Sequence, residues 1–291
     1  MTALVTGASG GLGRGIAVAL AAAGHDIGVH YRSDAVGAAA AVTDVEAVGR
    51  RATALHADLA VDDPAELDRA CDDLLDACTA ALGAPDVVVL NAFPQHVVAW
   101  GDLDTAAWDT YHRGGLRPTT SLLHRAAARL APGGVIVVIS SIEGRRPAPG
   151  HTPYGVAKAA LDHLTAAAAH ELGSSGIRVV GVAPGLIDRE RLERDWPEGV
   201  DRWKRASALG RPCHGIRGRG DRVISGLTSR IRHHGHHHHR GCRVVGRSGL
   251  VTPANRGVSM SSTTPSGEVT TGQRHSKVCP SGALGGIALR V

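Results

Sequence analysis

Aromatic side chains are scarce: one Phe, three Tyr and four Trp occur in 291 residues. With 43% hydrophobic residues, the core must be packed mainly from Ala, Val and Leu. No run of eighteen or more apolar residues occurs, so no membrane-spanning helix is expected. The opening Met1-Thr2-Ala3-Leu4-Val5-Thr6-Gly7 lacks a basic region followed by an apolar one. No secretory leader is therefore expected, and the cytoplasm is the simplest location. The five cysteines show neither paired metal spacing nor a disulfide framework. Cys71 and Cys78 fall inside a helical pattern and are read as inert.

Charge is divided unevenly. Residues 1–212 carry 20 Lys and Arg against 25 Asp and Glu, whereas residues 213–291 carry 12 against 2. The composition changes at the same point. Before it, apolar runs alternate with Ala-rich amphipathic stretches; after it come Arg, Gly, Ser, Thr and His with little periodicity. A boundary near Pro212 follows, with one domain over 1–212 and a basic tail over 213–291.

Within the first part, short Val/Ile-rich strands are predicted at 3–6, 26–31, 52–57, 87–91, 135–140 and 178–182. Helices are predicted at 12–23, 35–48, 64–82, 116–130 and 154–172, the third with Pro64 in its first turn. Near-continuous apolar strands between amphipathic helices imply a parallel sheet covered on both faces. The fold class expected is α/β, a doubly wound, Rossmann-type sheet in a single domain.

The first strand runs into Thr6-Gly7-Ala8-Ser9-Gly10-Gly11-Leu12-Gly13 and then a helix. Glycines at 7, 11 and 13 let the backbone turn sharply and approach a pyrophosphate without Cβ clashes. The helix N-terminus then faces the anion. A glycine-rich turn alone is weak, but the strand before and the helix after supply the required context. Ser9 and Leu12 are counted with the glycines as cofactor contacts. The second strand ends at Tyr31, followed by Arg32 and Ser33, where an NAD-preferring site places a carboxylate for the ribose hydroxyls. Asp34 lies beyond. A guanidinium beside a hydroxyl suits a 2′-phosphate, which favours NADP(H) over NAD.

Tyr154 and Lys158 are spaced i, i+4, on one face of a helix. An ammonium close to a phenol favours the phenolate, and a phenol so tuned can exchange a proton with a carbonyl or alcohol. Ser141 ends the preceding strand, where a parallel sheet opens its ligand crevice, and can hydrogen-bond a substrate oxygen.

Together these motifs resemble the short-chain dehydrogenase/reductase family over roughly residues 1–212. The resemblance rests on the glycine loop, Asp58 after the third strand, Asn91-Ala92 after the fourth, Ser141, Tyr154-x-x-x-Lys158 and Pro184-Gly185. It implies Tyr154 as general acid/base and Lys158 as the residue that lowers its pKa and holds the nicotinamide ribose. Ser141 would position the reacting oxygen. Asp58 and Leu59 would contact adenine, Asn91 would lie along the cofactor, and Pro184, Gly185 and Ile187 would border the nicotinamide. The chain departs from the family pattern at Leu90 and Phe93, where the family often has Asn and Gly. Phe93 narrows the site. Aligned on Trp108, Gly115 stands where the family carries a fourth catalytic residue, an Asn that supports a water behind the Lys. Gly10 stands where many NADPH enzymes carry a basic residue.

Family members continue past a Leu-Gly-Arg-Pro-like segment with a helix and a final strand. Here Leu209-Gly210-Arg211-Pro212 is followed by a tail containing His233-His234-Gly235-His236-His237-His238-His239. His codons read one base later give Thr or Ile. The shifted frame permits T-T-G-T-T-I-T-V-D-A-G across His233–Arg243 and A-T-A-S-E-V-A from Cys213, both similar to the family's missing elements. Residues from about Cys213 are therefore read as frame-shifted and expected to be disordered. If the frame is genuine, the last helix and the edge strand are expected to be missing. No metal site and no specific nucleic-acid binding are assigned to the tail.

The expected activity is that of an NAD(P)(H)-dependent oxidoreductase. Hydride would move between nicotinamide and a small carbonyl or alcohol, as in 3-oxoacyl-carrier-protein reductase-like members. A homo-oligomer is expected if the C-terminus is intact. The competing reading is a nucleotide-binding protein without turnover, to which Gly115 and the tail point. His151, Thr152 and Glu143 stand close enough to Tyr154 in sequence to reach a substrate. The plainer readings are a hydrogen-bonded His and a solvated loop charge. The acidic run 58–76 is read as the solvated face of a helix.

Overall fold

The computed structural model describes residues 1–188, 192–207, 210–212 and 243–245, all of them within the unit Met1–Gly249. Among these residues the strands β1 (Thr2–Val5), β2 (Asp26–Tyr31), β3 (Ala52–His56), β4 (Val87–Leu90), β5 (Val135–Ile139), β6 (Arg178–Ala183) and β7 (Arg243–Val245) form one sheet. Its order is β3-β2-β1-β4-β5-β6-β7, and every pair is parallel. This is the doubly wound sheet expected from the alternation of apolar strands with amphipathic helices.

The period of two in the strands sorts their side chains onto two faces. Ala3, Val5, Ile27, Val29, Val87, Val89, Val137 and Val182 join Ile16 and Leu20 of α1 (Gly11–Ala22) and Ala38, Ala41 and Val45 of α2 (Ala35–Ala47). The alternate residues Leu4, Val88, Leu90, Ile136, Val138 and Val179 face the other way. They meet Leu67, Leu74 and Leu75 of α3 (Pro64–Leu82), Leu122 of α5 (Arg117–Ala127) and Leu161 of α6 (Thr152–Leu172). Each fully buried aliphatic side chain contributes roughly 1.5–3 kcal/mol. Two complete faces of such residues compensate for the shortage of aromatics.

Helix α3 starts as its sequence predicts: the Asp63 carboxylate accepts the Glu66 N–H at 2.7 Å and Pro64 occupies the first turn. The acidic run on this helix is only partly a solvated face. Asp68, Asp72 and Asp76 meet Ser121 and Arg125 of α5 and Arg129 just beyond its end in a ladder of hydrogen bonds and ion pairs. Cys71 and Cys78 are buried under the same helix, and burial pushes the Cys78 thiol up to about 11.

Several elements fall outside the sequence expectation. Helix α4 (Thr105–Tyr111) is capped by Asp104 and continues into a π-helical turn, His112–Leu116, which precedes α5. After β6 come α7 (Leu192–Asp195) and α8 (Pro197–Ala206). The expectation that a genuine frame would leave no edge strand is corrected: Arg243, Val244 and Val245 pair with Gly181, Val182 and Ala183 of β6. The other residues after Pro212, with the frame-shift and disorder readings that concern them, lie outside the described residues. Among the described residues no helix is long and apolar enough to cross a membrane.

Gly28, in the middle of β2, lies where α3 presses on the sheet. A Cβ there would meet Cys78 Sγ at 3.0 Å and Leu4 and Leu55 Cδ1 at 3.1 Å. Gly28→Ala is expected to overpack this contact and cost about 1–3 kcal/mol. Urea denaturation should read this as a lower midpoint with an unchanged slope, and the loss should shrink in a Cys78→Ala background.

Candidate active site

In a parallel sheet, the loops after β1, β4, β5 and β6 all leave from the same rim. The loop after β1 is pinned there by its neighbours. Thr6 donates its hydroxyl to the Val89 carbonyl at 3.2 Å and accepts the N–H groups of Asn91 and Ala92 at 2.9 and 3.0 Å. The Asn91 amide donates to the carbonyls of Thr6 and Gly7 at 2.9 and 3.2 Å. Gly7 and Gly11 have φ of 61° and 52°, which favours glycine. Gly13 is required by space instead: a Cβ would lie 2.1 Å from the Gly7 carbonyl oxygen and 2.6 Å from Asn91 Nδ2. Ser9 and Leu12 are half-buried in this turn, and Gly11 is exposed at the start of α1.

A residue outside the sequence expectation ties the cradle to the rest of the rim. His30 of β2 is buried. Its Nδ1 accepts the Gly7 N–H at 3.1 Å, so its proton sits on Nε2, which donates to the Ala57 carbonyl at 3.1 Å. The His30 carbonyl accepts the Ala8 N–H at 2.9 Å. Burial lowers the imidazole to about 4, so it is neutral at physiological pH. The hint in the sequence was an inward-facing position in β2 occupied by a polar residue, which requires partners.

The second strand hands over to α2 through exposed Arg32 and Ser33. Asp34 caps that helix, accepting the Gly37 N–H at 2.8 Å. Its carboxylate is thereby engaged, and Arg32 has no ion-pair partner among the described residues. Gly37 packs so closely on the glycine turn that a Cβ would lie 2.5 Å from the Ser9 carbonyl oxygen. Beyond β3, Asp58 is exposed and accepts the Ala60 N–H at 2.8 Å, while Leu59 is buried.

Ser141, Tyr154 and Lys158 are all buried together. Ser141 follows β5 and accepts the Glu143 N–H at 3.2 Å; the Ile142 N–H donates to the Pro184 carbonyl at 3.0 Å, which joins this loop to the one after β6. Burial pushes the Tyr154 phenol up to about 12, with the nearby Glu143 and Tyr111 acting in the same direction; the hydrogen bond with Ser141 opposes them. Burial pulls Lys158 down to about 7. Its Nζ donates to the Ile139 carbonyl at 2.8 Å and lies 3.7 Å from the centre of the Phe93 ring. The sequence predicts an ammonium that acidifies the phenol. The structure differs: desolvation dominates both groups, and the amine is turned to a carbonyl and an aromatic face.

Around the phenol stand side chains that the sequence marked faintly or not at all. Tyr111 is buried, donates to the His96 carbonyl at 2.7 Å, and lies edge-on to Tyr154 at 6.1 Å. The His151 ring is 6.0 Å from that of Tyr154. His151 Nδ1 meets Glu143 Oε2 at 2.7 Å, and this bond raises the imidazole above its ordinary value. His151 is thus the hydrogen-bonded histidine of the plainer reading, and buried, whereas Glu143 is its half-buried partner rather than a solvated loop charge. On the β6 side Pro184 is buried, and Gly185 and Ile187 are half-buried. Trp203 of α8 covers Gly185, where a Cβ would lie 2.4 Å from its ring, and Trp196 lies 6.4 Å from His151.

The rim therefore offers a close-approach glycine cradle at one end and a buried Ser-Tyr-Lys group at the other. The sequence and the fold have known relatives. The family described as short chain dehydrogenase matches residues 1–199. The 3-oxoacyl-[acyl-carrier-protein] reductase FabG of Aggregatibacter actinomycetemcomitans is 36% identical over 199 residues, covering 67% of this chain and 80% of that protein. The uncharacterized oxidoreductase YmfI of Bacillus subtilis is 33% identical over 204 residues, covering 67% and 78%. Among solved structures, a short chain dehydrogenase from Burkholderia cenocepacia in complex with NADP superposes with a TM-score of 0.69 at 33% identity, covering 79% of this chain and 89% of that one. The angucycline C-6 ketoreductase LanV with bound NADP superposes equally well at 30% identity, covering 78% and 86%.

The histidine under the cradle gives a pH prediction. Its folded value of about 4 lies below the ordinary 6.5, so between those values the unfolded chain binds a proton that the folded chain refuses. Stability should therefore fall as pH drops from about 6.5 towards 4, by on the order of 3 kcal/mol in total, with no further loss from this residue below that. Comparing melting temperatures of the wild type and His30→Gln across pH 4–7 checks it: the difference between the two should narrow on acidification.

Proposed function

The chain belongs to the short-chain dehydrogenase family, and we propose that it is an NADP(H)-dependent reductase of a small carbonyl compound. The observation that carries this reading is the burial of Ser141, Tyr154 and Lys158 on the same sheet rim as a cradle that admits no Cβ at Gly13. The cradle fits a pyrophosphate, since bare backbone and the N-terminus of α1 converge there. Arg32 and Ser33, with Asp34 held as a helix cap, suit a 2′-phosphate better than free ribose hydroxyls. Asp58, Leu59 and Asn91 would hold the adenosine half and the body of the dinucleotide. Pro184, Gly185 and Ile187 would border its other end.

When bound, the nicotinamide supplies the hydride. The protein's part is positioning and proton handling. A phenol near 12 keeps its proton at neutral pH, so Tyr154 Oη is a proton donor to an oxygen that becomes an alkoxide. Ser141 Oγ holds that oxygen beside it. Lys158 Nζ lies 5.5 Å from the centre of the Tyr154 ring, and its charge, when it carries one, would ease loss of the phenol proton. Reduction is the direction this protonation state favours. The expected partners are a small carbonyl substrate and further copies of the chain.

Two outcomes test the reading. Tyr154→Phe should lower NADPH-dependent carbonyl reduction by roughly 10²–10⁴-fold while leaving NADPH binding, read by fluorescence, unchanged. Binding of NADPH by the wild type with no oxidation across a carbonyl panel would favour a nucleotide-binding protein without turnover. Arg32→Ala should weaken NADPH binding by about tenfold and leave NADH binding unaffected, as loss of one charge-assisted contact predicts. Titrations of both cofactors compare the two.

A further inference from the structure

Phe93 is the chain's one phenylalanine. Its ring occupies the space in front of Gly115: a Cβ at 115 would lie 2.5 Å from Cε2 and Cζ and 2.9 Å from Cδ2. Gly115 does not have a positive φ, so the backbone conformation does not demand glycine there. Space does. Gly115 lies in the π-helical turn, and Thr119 holds its carbonyl at 2.7 Å, so the notch cannot open without breaking that bond. The ring also packs edge-on to Tyr154 at 5.8 Å and carries the Lys158 ammonium 3.7 Å from its centre. An ammonium has three donors. The Ile139 carbonyl satisfies one, and the aromatic face is the other favourable surface it meets.

We propose that Phe93 and Gly115 form one positioning unit for Lys158, an aromatic wedge in a notch free of side chains that holds the amine against the Ile139 carbonyl and keeps water from it. The proposal rests on the reading of Tyr154 as the proton donor of a reductase, because the position and charge of Lys158 matter through that phenol. The titratable groups around the amine are Tyr154 on its own helix, Tyr111 from α4, and Glu143 with His151 from the β5–α6 connection; none of them bonds it.

The wedge makes opposite predictions for two substitutions. Phe93→Leu keeps most of the volume and removes the aromatic face, so the charged amine loses an attraction. The alkaline limb of kcat against pH should move down, by up to about one pH unit. Phe93→Ala lets water reach the amine and should move the same limb up. A residue that only fills space would change kcat without moving the limb. A second measurement needs no activity. Gly115→Ala should lower Tm in the wild type, where the new methyl meets the ring, and should leave it unchanged or raise it in a Phe93→Ala background. Limbs that coincide in all three proteins, or Tm changes that simply add, would overturn the wedge. A wild type that turns over no carbonyl but shows coupled Tm changes would support the wedge and sink the reductase reading. Turnover with uncoupled Tm changes would do the reverse.

Discussion

The Thr6 hydroxyl fastens the two central loops of this sheet's rim to each other. The strand order reverses between β1 and β4, and at such a point the loops diverge to opposite faces and leave a crevice. Thr6 sits at that divergence. Its oxygen bonds the backbone of Val89, Asn91 and Ala92, which extends the β1–β4 backbone ladder past the ends of both strands. Asn91 can then reach back to the Thr6 and Gly7 carbonyls, and the turn that follows is fixed before any ligand arrives. Close packing of Gly13 on Gly7 is possible only because that turn does not drift.

The remainder of the rim is governed by burial more than by pairing. Tyr154 and Lys158 share a helix face, and their attraction would favour two charges. Withdrawal from water acts on both groups in the opposite sense and is the larger effect at each. The result is a phenol that keeps its proton and an amine that is easily neutralised. His30 follows the same rule. Its neutrality lets one ring nitrogen accept from the cradle while the other donates to the strand beyond.

Much of this was legible in the residues themselves. Val/Ile-rich strands between amphipathic helices foretold the parallel sheet covered on both faces, and Pro64 foretold the start of α3. Helix α4 escaped because seven residues with a half-exposed Trp108 carry too little periodicity to be recognised. His30 was hidden because a strand pattern registers only that a position faces inward, not what a polar residue finds there. Phe93 and Gly115 were visible as separate departures from a familiar pattern. Their connection is one of space, between positions 22 residues apart in the chain, and no periodicity encodes it. Asp68, Asp72 and Asp76 looked solvated because their partners lie on and just after a helix some fifty residues later.

The carboxylate of Asp34 has been assigned to architecture. It closes the first turn of α2, and that helix lies so near the cradle that Gly37 all but touches the Ser9 carbonyl. Freeing the carboxylate for a ligand would unfasten the helix and loosen the floor on which the turn rests. On the proposed reading, a change of preference between the two nicotinamide dinucleotides would fall to positions such as 32 and 33, whose side chains are exposed and make no ion pair among the described residues.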